Sequence, residues 1–97
     1  MVIEIITPDN LLYKGHIDSI TLPGVDGSFG MWENHAPIIS ALTKGKVKIK
    51  QASDKNKSFD ELSGDFLENI AKDELFEFDI NGGVVEVQNN KVTLLAN

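Results

Sequence analysis

Two histidines, His16 and His35, are the side chains here with an ordinary pKa suited to proton transfer near neutral pH. They stand apart in sequence, and the chain has neither the nucleophile elbow G-x-S-x-G nor the zinc-binding H-E-x-x-H. Convergence of a histidine with Ser28, Ser40 or Asp26 would be needed for a hydrolytic site. A loop residue held by a backbone hydrogen bond is the simpler reading of His35, between Asn34 and Ala36-Pro37. Asp54, Asn56 and Ser58 occupy the first, third and fifth places of a calcium loop. Phe59 stands where that loop requires glycine, and Asp65 closes it with a short carboxylate, so a solvated polar loop over Ser53–Lys57 fits better. Gly24, Gly27 and Gly30 invite a phosphate, but no dinucleotide fingerprint or P-loop accompanies them. They read as turn residues. With no cysteine, thiolate chemistry and disulfides are excluded. The expectation is a chain that is not an enzyme and holds no cofactor or metal.

Composition narrows the classes further. The 97 residues amount to one domain, and 15 acids against 9 bases leave a formal charge of −6, which argues against nucleic-acid binding. All the bases are lysines, so the bidentate phosphate fork of arginine is absent. No apolar run approaches the ~20 residues that span a bilayer, and no secretory signal opens the chain. A soluble intracellular protein is expected.

Periodicity supplies the elements. Val2–Thr7 is rich in β-branched residues and stops at Pro8. Leu11–Tyr13 reads as a short piece ended at Gly15, and His16–Leu22 as a half-buried strand with Ile20 and Leu22 on one face and Ile17 on the other. Pro23–Gly30 and Met31–Pro37 read as loops, followed by a short strand over Ile38–Leu42. Lys44, Lys46, Lys48 and Lys50 alternate with Gly45, Val47 and Ile49, the pattern of a strand with one ammonium-bearing face. That stripe is either a solvated, edge-protecting face or a contact surface for acidic groups. Phe76, Phe78 and Ile80 alternate with Glu77 and Asp79. Val85 and Val87 lead through Asn89-Asn90, which tolerate left-handed backbone, to Val92 and Leu94, a hairpin.

One stretch departs from this rhythm. Ser58 with Glu61 makes a capping box, and Phe59, Leu62, Phe66, Leu67 and Ile70 fall at helical spacing. The expected architecture is mainly β: an antiparallel sandwich or barrel of about eight to ten short strands, with one amphipathic helix over residues 59–71. That helix lies in an acidic insertion at about 52–75, within a single domain spanning 1–97. Met31 and Trp32, large apolar residues in a glycine-flanked loop, belong either to the core or to a contact surface.

The ordered set Ile3–Pro8 with Leu12–Gly15, Ser19–Gly24, Gly27–Gly30 and His35-Ala36-Pro37, then Gly82–Gln88 and Val92–Ala96, resembles the N-terminal β-sandwich of the epsilon subunit of F-type ATP synthase. The resemblance implies a non-catalytic rotor subunit of the central stalk, joining the gamma subunit to the polar loops of the c-ring and coupling rotation to ATP synthesis. It implies a hetero-oligomeric partner set, a monomer when isolated, and a peripheral place on the cytoplasmic side of the bacterial inner membrane without insertion into it. Gly24, Asp26, Gly27, Ser28, Phe29, Gly30, Met31 and Trp32 match the ring-facing loop; His35, Ala36 and Pro37 match a segment near gamma and the ring. Both turns are expected to share one docking plane. The family's commonly acidic position is Ser28 here, and its Pro-Gly before His-Ala-Pro is Glu33-Asn34, where Asn34 can take glycine's left-handed conformation. The acidic insertion has no counterpart in the common pattern. Many members continue into a C-terminal helical hairpin that obstructs rotation or binds ATP; neither role is assigned here. The competing reading is a stand-alone acidic β-sandwich that binds another protein.

Overall fold

Strands with one dry and one wet face need a second layer to cover the dry side. In the computed structural model, which describes residues 1–67 and 73–97, eight strands follow in order. They are β1 (Val2–Ile6), β2 (Leu11–Gly24), β3 (Gly27–Trp32), β4 (Ile38–Leu42), β5 (Gly45–Gln51), β6 (Leu75–Ile80), β7 (Gly83–Gln88) and β8 (Lys91–Ala96). A one-turn helix, α1 (Ser53–Asn56), lies between β5 and β6.

The long strand β2 joins both layers. Its first half pairs with β1, and β8, β7 and β4 follow outward from β1. Its second half lies between β3 and β5, with β6 beyond β5. Gly24 at its far end meets Leu42 of β4. The expected sandwich results, with one exception to antiparallel pairing: β1 and β8 run parallel, as strands from the two ends of the chain can.

Two bulges let β2 turn the corner. Leu12 and Asp18 are extra residues: Ile5 and Ile6 face Tyr13 and Leu11, while Ile17 and Ser19 face Gln51 and Lys50. The second bulge resets the alternation, so Ile17 shares the core with Ile20 and Leu22 instead of facing away from them. Gly15 does not end a strand. A Cβ there would lie 2.5 Å from the Tyr13 hydroxyl, so glycine serves close packing inside β2.

The core is aliphatic. Ile3, Ile5, Val85 and Leu94 from one layer meet Ile20, Leu22, Val47 and Ile49 from the other, all at or below 1% exposure. Asn89 and Asn90 turn the β7–β8 hairpin with φ of 53° and 61°, as their tolerance of left-handed backbone predicts. The lysine stripe also finds its purpose. Lys46 and Lys48 register against Asp79 and Glu77 of β6, and Lys46 pairs with Glu77 and Asp79 while Lys50 pairs with Glu74. Part of the acid-rich stretch is therefore the chain's own partner for its lysines.

The helix expected over 59–71 is not what residues 59–66 form. They make turns and one bridge, Ser63 to Lys14, and residues 68–72 lie outside the described residues. The cause is the backbone edge of β2. Lys14 N–H donates to Ser63 O at 2.7 Å and Ser63 N–H returns a bond at 3.1 Å, while Asp65 and Phe66 donate to Leu11 and Leu12 carbonyls. Gly64, at φ 124°, permits this path. Phe59, Leu62 and Phe66 still bury apolar surface, but through turns. Phe66 lies 5.1 Å from Phe78. Leu67 is helical, and a one-turn helix also forms at α1, in the segment read from the sequence as a polar loop.

Candidate functional site

The exposed turns are built on β3. In the β2–β3 hairpin, Gly24 pairs with Gly27 across the two-residue turn Val25-Asp26. The positive φ falls on Gly27, at 124°. Gly24 is required by close approach: a Cβ there would lie 2.8 Å from the Phe29 ring, which crosses it. Val25, Asp26, Gly27 and Ser28 are exposed, and Phe29 and Gly30 are half-buried. The two readings left open for Met31 and Trp32 separate: Met31 is 0% exposed, Trp32 65%. The period-two rule places Met31 against Ile20 inside and turns Trp32 outward.

The second turn follows Trp32. Asn34 takes φ 61°, supplying the left-handed position, and its N–H donates to Asn90 Oδ1 at 2.9 Å. Glu33 accepts from the Met1 amino group at 3.0 Å and from Lys55 Nζ at 2.6 Å. Those cations, Lys55 foremost, hold the Glu33 carboxyl down at about 2. His35 Nδ1 bonds its neighbour's carbonyl, Ala36 O, at 2.8 Å, the backbone tether expected for it. Ala36 and Pro37 are exposed.

The hairpin tip and the His35 turn are set apart along β3. They lie at opposite ends of β3, roughly 17 Å of extended strand apart. The same separation recurs along β4, whose Leu42 end meets Gly24 and whose Ile38 end follows Pro37. A hairpin strand reverses the chain only at its tip, so sequence proximity across six residues became distance. At the Trp32 end, one cross-strand row carries Trp32, Ser19, Lys50 and Leu75 across β3, β2, β5 and β6. A shallow depression of about 340 Å³ along this row is lined by Ser19, Thr21, Lys48, Lys50 and Leu75.

Behind the His35 end lies a buried polar cluster that the sequence did not single out. Tyr13 donates to Gln51 Oε1 at 2.8 Å, and Asn56 Nδ2 donates to the Tyr13 hydroxyl at 3.3 Å. Asn56 Oδ1 accepts from His16 N–H at 2.7 Å, and its Nδ2 also donates to His16 O at 3.0 Å. Burial pushes the Tyr13 phenol up to about 12. An asparagine among polar neighbours gives no local sign of this role.

His16 belongs to the same neighbourhood. Its ring stands edge-on to Phe59 at 4.6 Å, and its Nδ1 is buried with no hydrogen bond among the described residues. Burial lowers its pKa, the Met1 ammonium and Lys55 act in the same direction, and Glu33 opposes them. The folded state thus disfavours the proton that the unfolded chain takes up near ~6.5. This contribution to stability is complete above ~6.5 and is lost as pH falls toward the folded value. Urea unfolding between pH 5 and 8 should show that decline, and His16→Leu should flatten it; an unchanged slope in the variant would refute the assignment. Glu33 and Glu4, both lowered by cations from the ordinary 4.5, act in a separate window below that value.

The sequence profile of the family described as "ATP synthase, Delta/Epsilon chain, beta-sandwich domain" matches residues 1–75. The ATP synthase epsilon chain of Chlorobium limicola is 34% identical over 93 residues, covering 96% of this chain and 84% of that protein. That of Leptospira borgpetersenii is 33% identical over 93 residues, and there the match spans 96% of this chain but 58% of the relative. Two solved assemblies contain a chain of like fold. In the Tetrahymena thermophila mitochondrial ATP synthase central stalk and c-ring, the TM-score is 0.66 at 19% identity, covering 99% of this chain and 62% of that one. In the Euglena gracilis mitochondrial ATP synthase the TM-score is 0.73 at 15% identity, covering 99% and 49%.

Proposed function

The chain belongs to the delta/epsilon β-sandwich family of ATP synthase, and from that premise we propose a mechanical role for it. It is a non-catalytic subunit of the central stalk of a proton-translocating F-type ATP synthase. It joins the gamma subunit to the c-ring and so couples rotation to ATP synthesis. The observation that carries this reading is that the family match over 1–75 contains both exposed turns and the strand between them.

Both ends of β3 make contacts. The tip, with Gly24, Asp26, Gly27, Ser28, Phe29 and Gly30, faces the polar loops of the ring. Ser28 carries no charge, so the exposed Asp26 supplies the anionic group there. His35, Ala36 and Pro37, at the other end with Trp32, lie near gamma and the ring. Met31 contributes from beneath, anchoring β3 in the core. Residues 1–97 act as a single domain that carries the acidic insertion at about 52–75. Torque transmission needs a body that does not deform, and a dry, aliphatic core between hydrogen-bonded layers supplies that stiffness. The chain's place is peripheral, on the cytoplasmic side of the bacterial inner membrane; among the described residues no helix is long and apolar enough to cross a membrane.

Gel filtration of the purified chain with gamma tests this directly: the two should co-elute, and separate elution would end the proposal. Trp32→Ala should weaken gamma binding by roughly 30-fold, the loss typical of a buried aromatic anchor. An unchanged affinity would remove Trp32 from the interface.

A further inference from the structure

The sandwich treats its strand edges unequally. The insertion covers the edge of β2's first half through the Lys14–Ser63 bridge. The edge of β6 carries Glu77 and Asp79, both in ion pairs with Lys46. β4 is short, and Val25 N–H takes its Ala41 carbonyl at 3.3 Å. β3 differs from all three: among the described residues it pairs with β2 alone, and its six residues include no charge and no proline. Bare, uncharged edges are what folded proteins otherwise avoid, because they recruit further strands.

The register identifies the free groups. Gly24 and Gly27 close the hairpin as a hydrogen-bonded pair, so alternation turns the backbone of Phe29 and Met31 toward β2. Ser28, Gly30 and Trp32 then present their N–H and C=O groups outward. Pro23, opposite Ser28, fits this parity, since its carbonyl accepts from Thr43 N–H at 2.8 Å on the side away from β3. The Trp32 indole folds back over Gly30, where a Cβ would meet it at 3.4 Å, making a flat apolar ledge beside the edge. Asp26 and Glu33 flank β3 at its two ends.

We propose that the free edge of β3 is a strand-addition site. It takes an extended segment of the shaft partner that is uncharged over about six residues and basic at the end that meets the exposed Asp26. The segment bonds to the backbone of Ser28, Gly30 and Trp32, lays one apolar side chain on the Trp32 ledge, and meets Asp26 with its basic end; Glu33, at the other end, is already held by the Met1 ammonium and Lys55. A second copy is the wrong occupant on charge grounds. Self-pairing would bring together two bodies of charge −6. The inference rests on the rotor reading above and adds the manner of attachment.

Hydrogen exchange of the full chain, alone and with purified gamma, tests it. The Ser28, Gly30 and Trp32 amides should exchange rapidly in the free chain and slow by roughly tenfold or more in the complex. Gly30→Pro removes an outward N–H that the fold does not use, and should weaken gamma binding by roughly tenfold while leaving the melting temperature near that of the parent. If Gly30→Pro fails to fold, the exchange measurement decides alone. A complex that forms without slowing these amides overturns the inference and leaves the rotor reading standing. Failure to form any complex overturns both. Protection that develops in the isolated chain with rising concentration assigns the edge to a second copy and overturns the inference.

Discussion

Gly64→Ala should destabilise the chain by about 3 kcal/mol. For a domain of this size that lowers the melting temperature by roughly 12–24 °C. The residue holds φ at 124°, where any side chain is strained. A Cβ would also stand 2.4 Å from the Leu12 carbonyl oxygen and 2.5 Å from Tyr13 Cα, backbone atoms that cannot rotate away. The sign is what makes the substitution informative. Were residues 59–71 a helix, alanine at 64 would stabilise it by up to ~1 kcal/mol. The strand-edge path of the insertion requires the opposite. A calorimetric scan showing an unchanged or raised transition would contradict the bridge between Ser63 and Lys14.

Asn56→Ala carries the second large effect, a loss of about 2–3 kcal/mol in denaturant unfolding. The His16 carbonyl keeps a bond from Ala52 N–H at 3.0 Å and the Tyr13 hydroxyl keeps Gln51. His16 N–H, however, loses the acceptor it holds at 2.7 Å, and an unpaired buried donor costs more than a hydrogen bond is worth. Asn56→Asp keeps that acceptor but sets a carboxylate oxygen against the His16 carbonyl, where Nδ2 now donates at 3.0 Å, so it should be at least as destabilised as the alanine variant. Equal stability of all three proteins would show that the cluster does not hold α1 to β2.

Much of the frame is legible from neighbouring residues. Alternation fixed the faces of β5, β6, β7 and β8, and the Asn89-Asn90 pair marked its hairpin, because side-chain direction and turn geometry depend on a few adjacent residues. Trp32 and Met31 show the limit. Once β3 is known to be a strand, their opposite fates follow, but three glycines within Gly24–Gly30 masked the strand, since glycine gives no face to read.

The sequence alone determined a mainly β, acidic, cysteine-free domain with an unusual glycine-rich turn and a His-Ala-Pro segment, and it carried the family resemblance. All of these are properties of residue type and local order. The tertiary structure alone decided which edge the insertion would cover, where bulges would bend β2 between layers, and that the two exposed turns stand at opposite ends of β3. Each depends on backbone groups far apart in sequence finding one another. Phe59, Leu62 and Phe66 could bury their rings and chains equally well on a helix; the unpaired edge of β2 settled their path, and no periodicity records where such an edge lies.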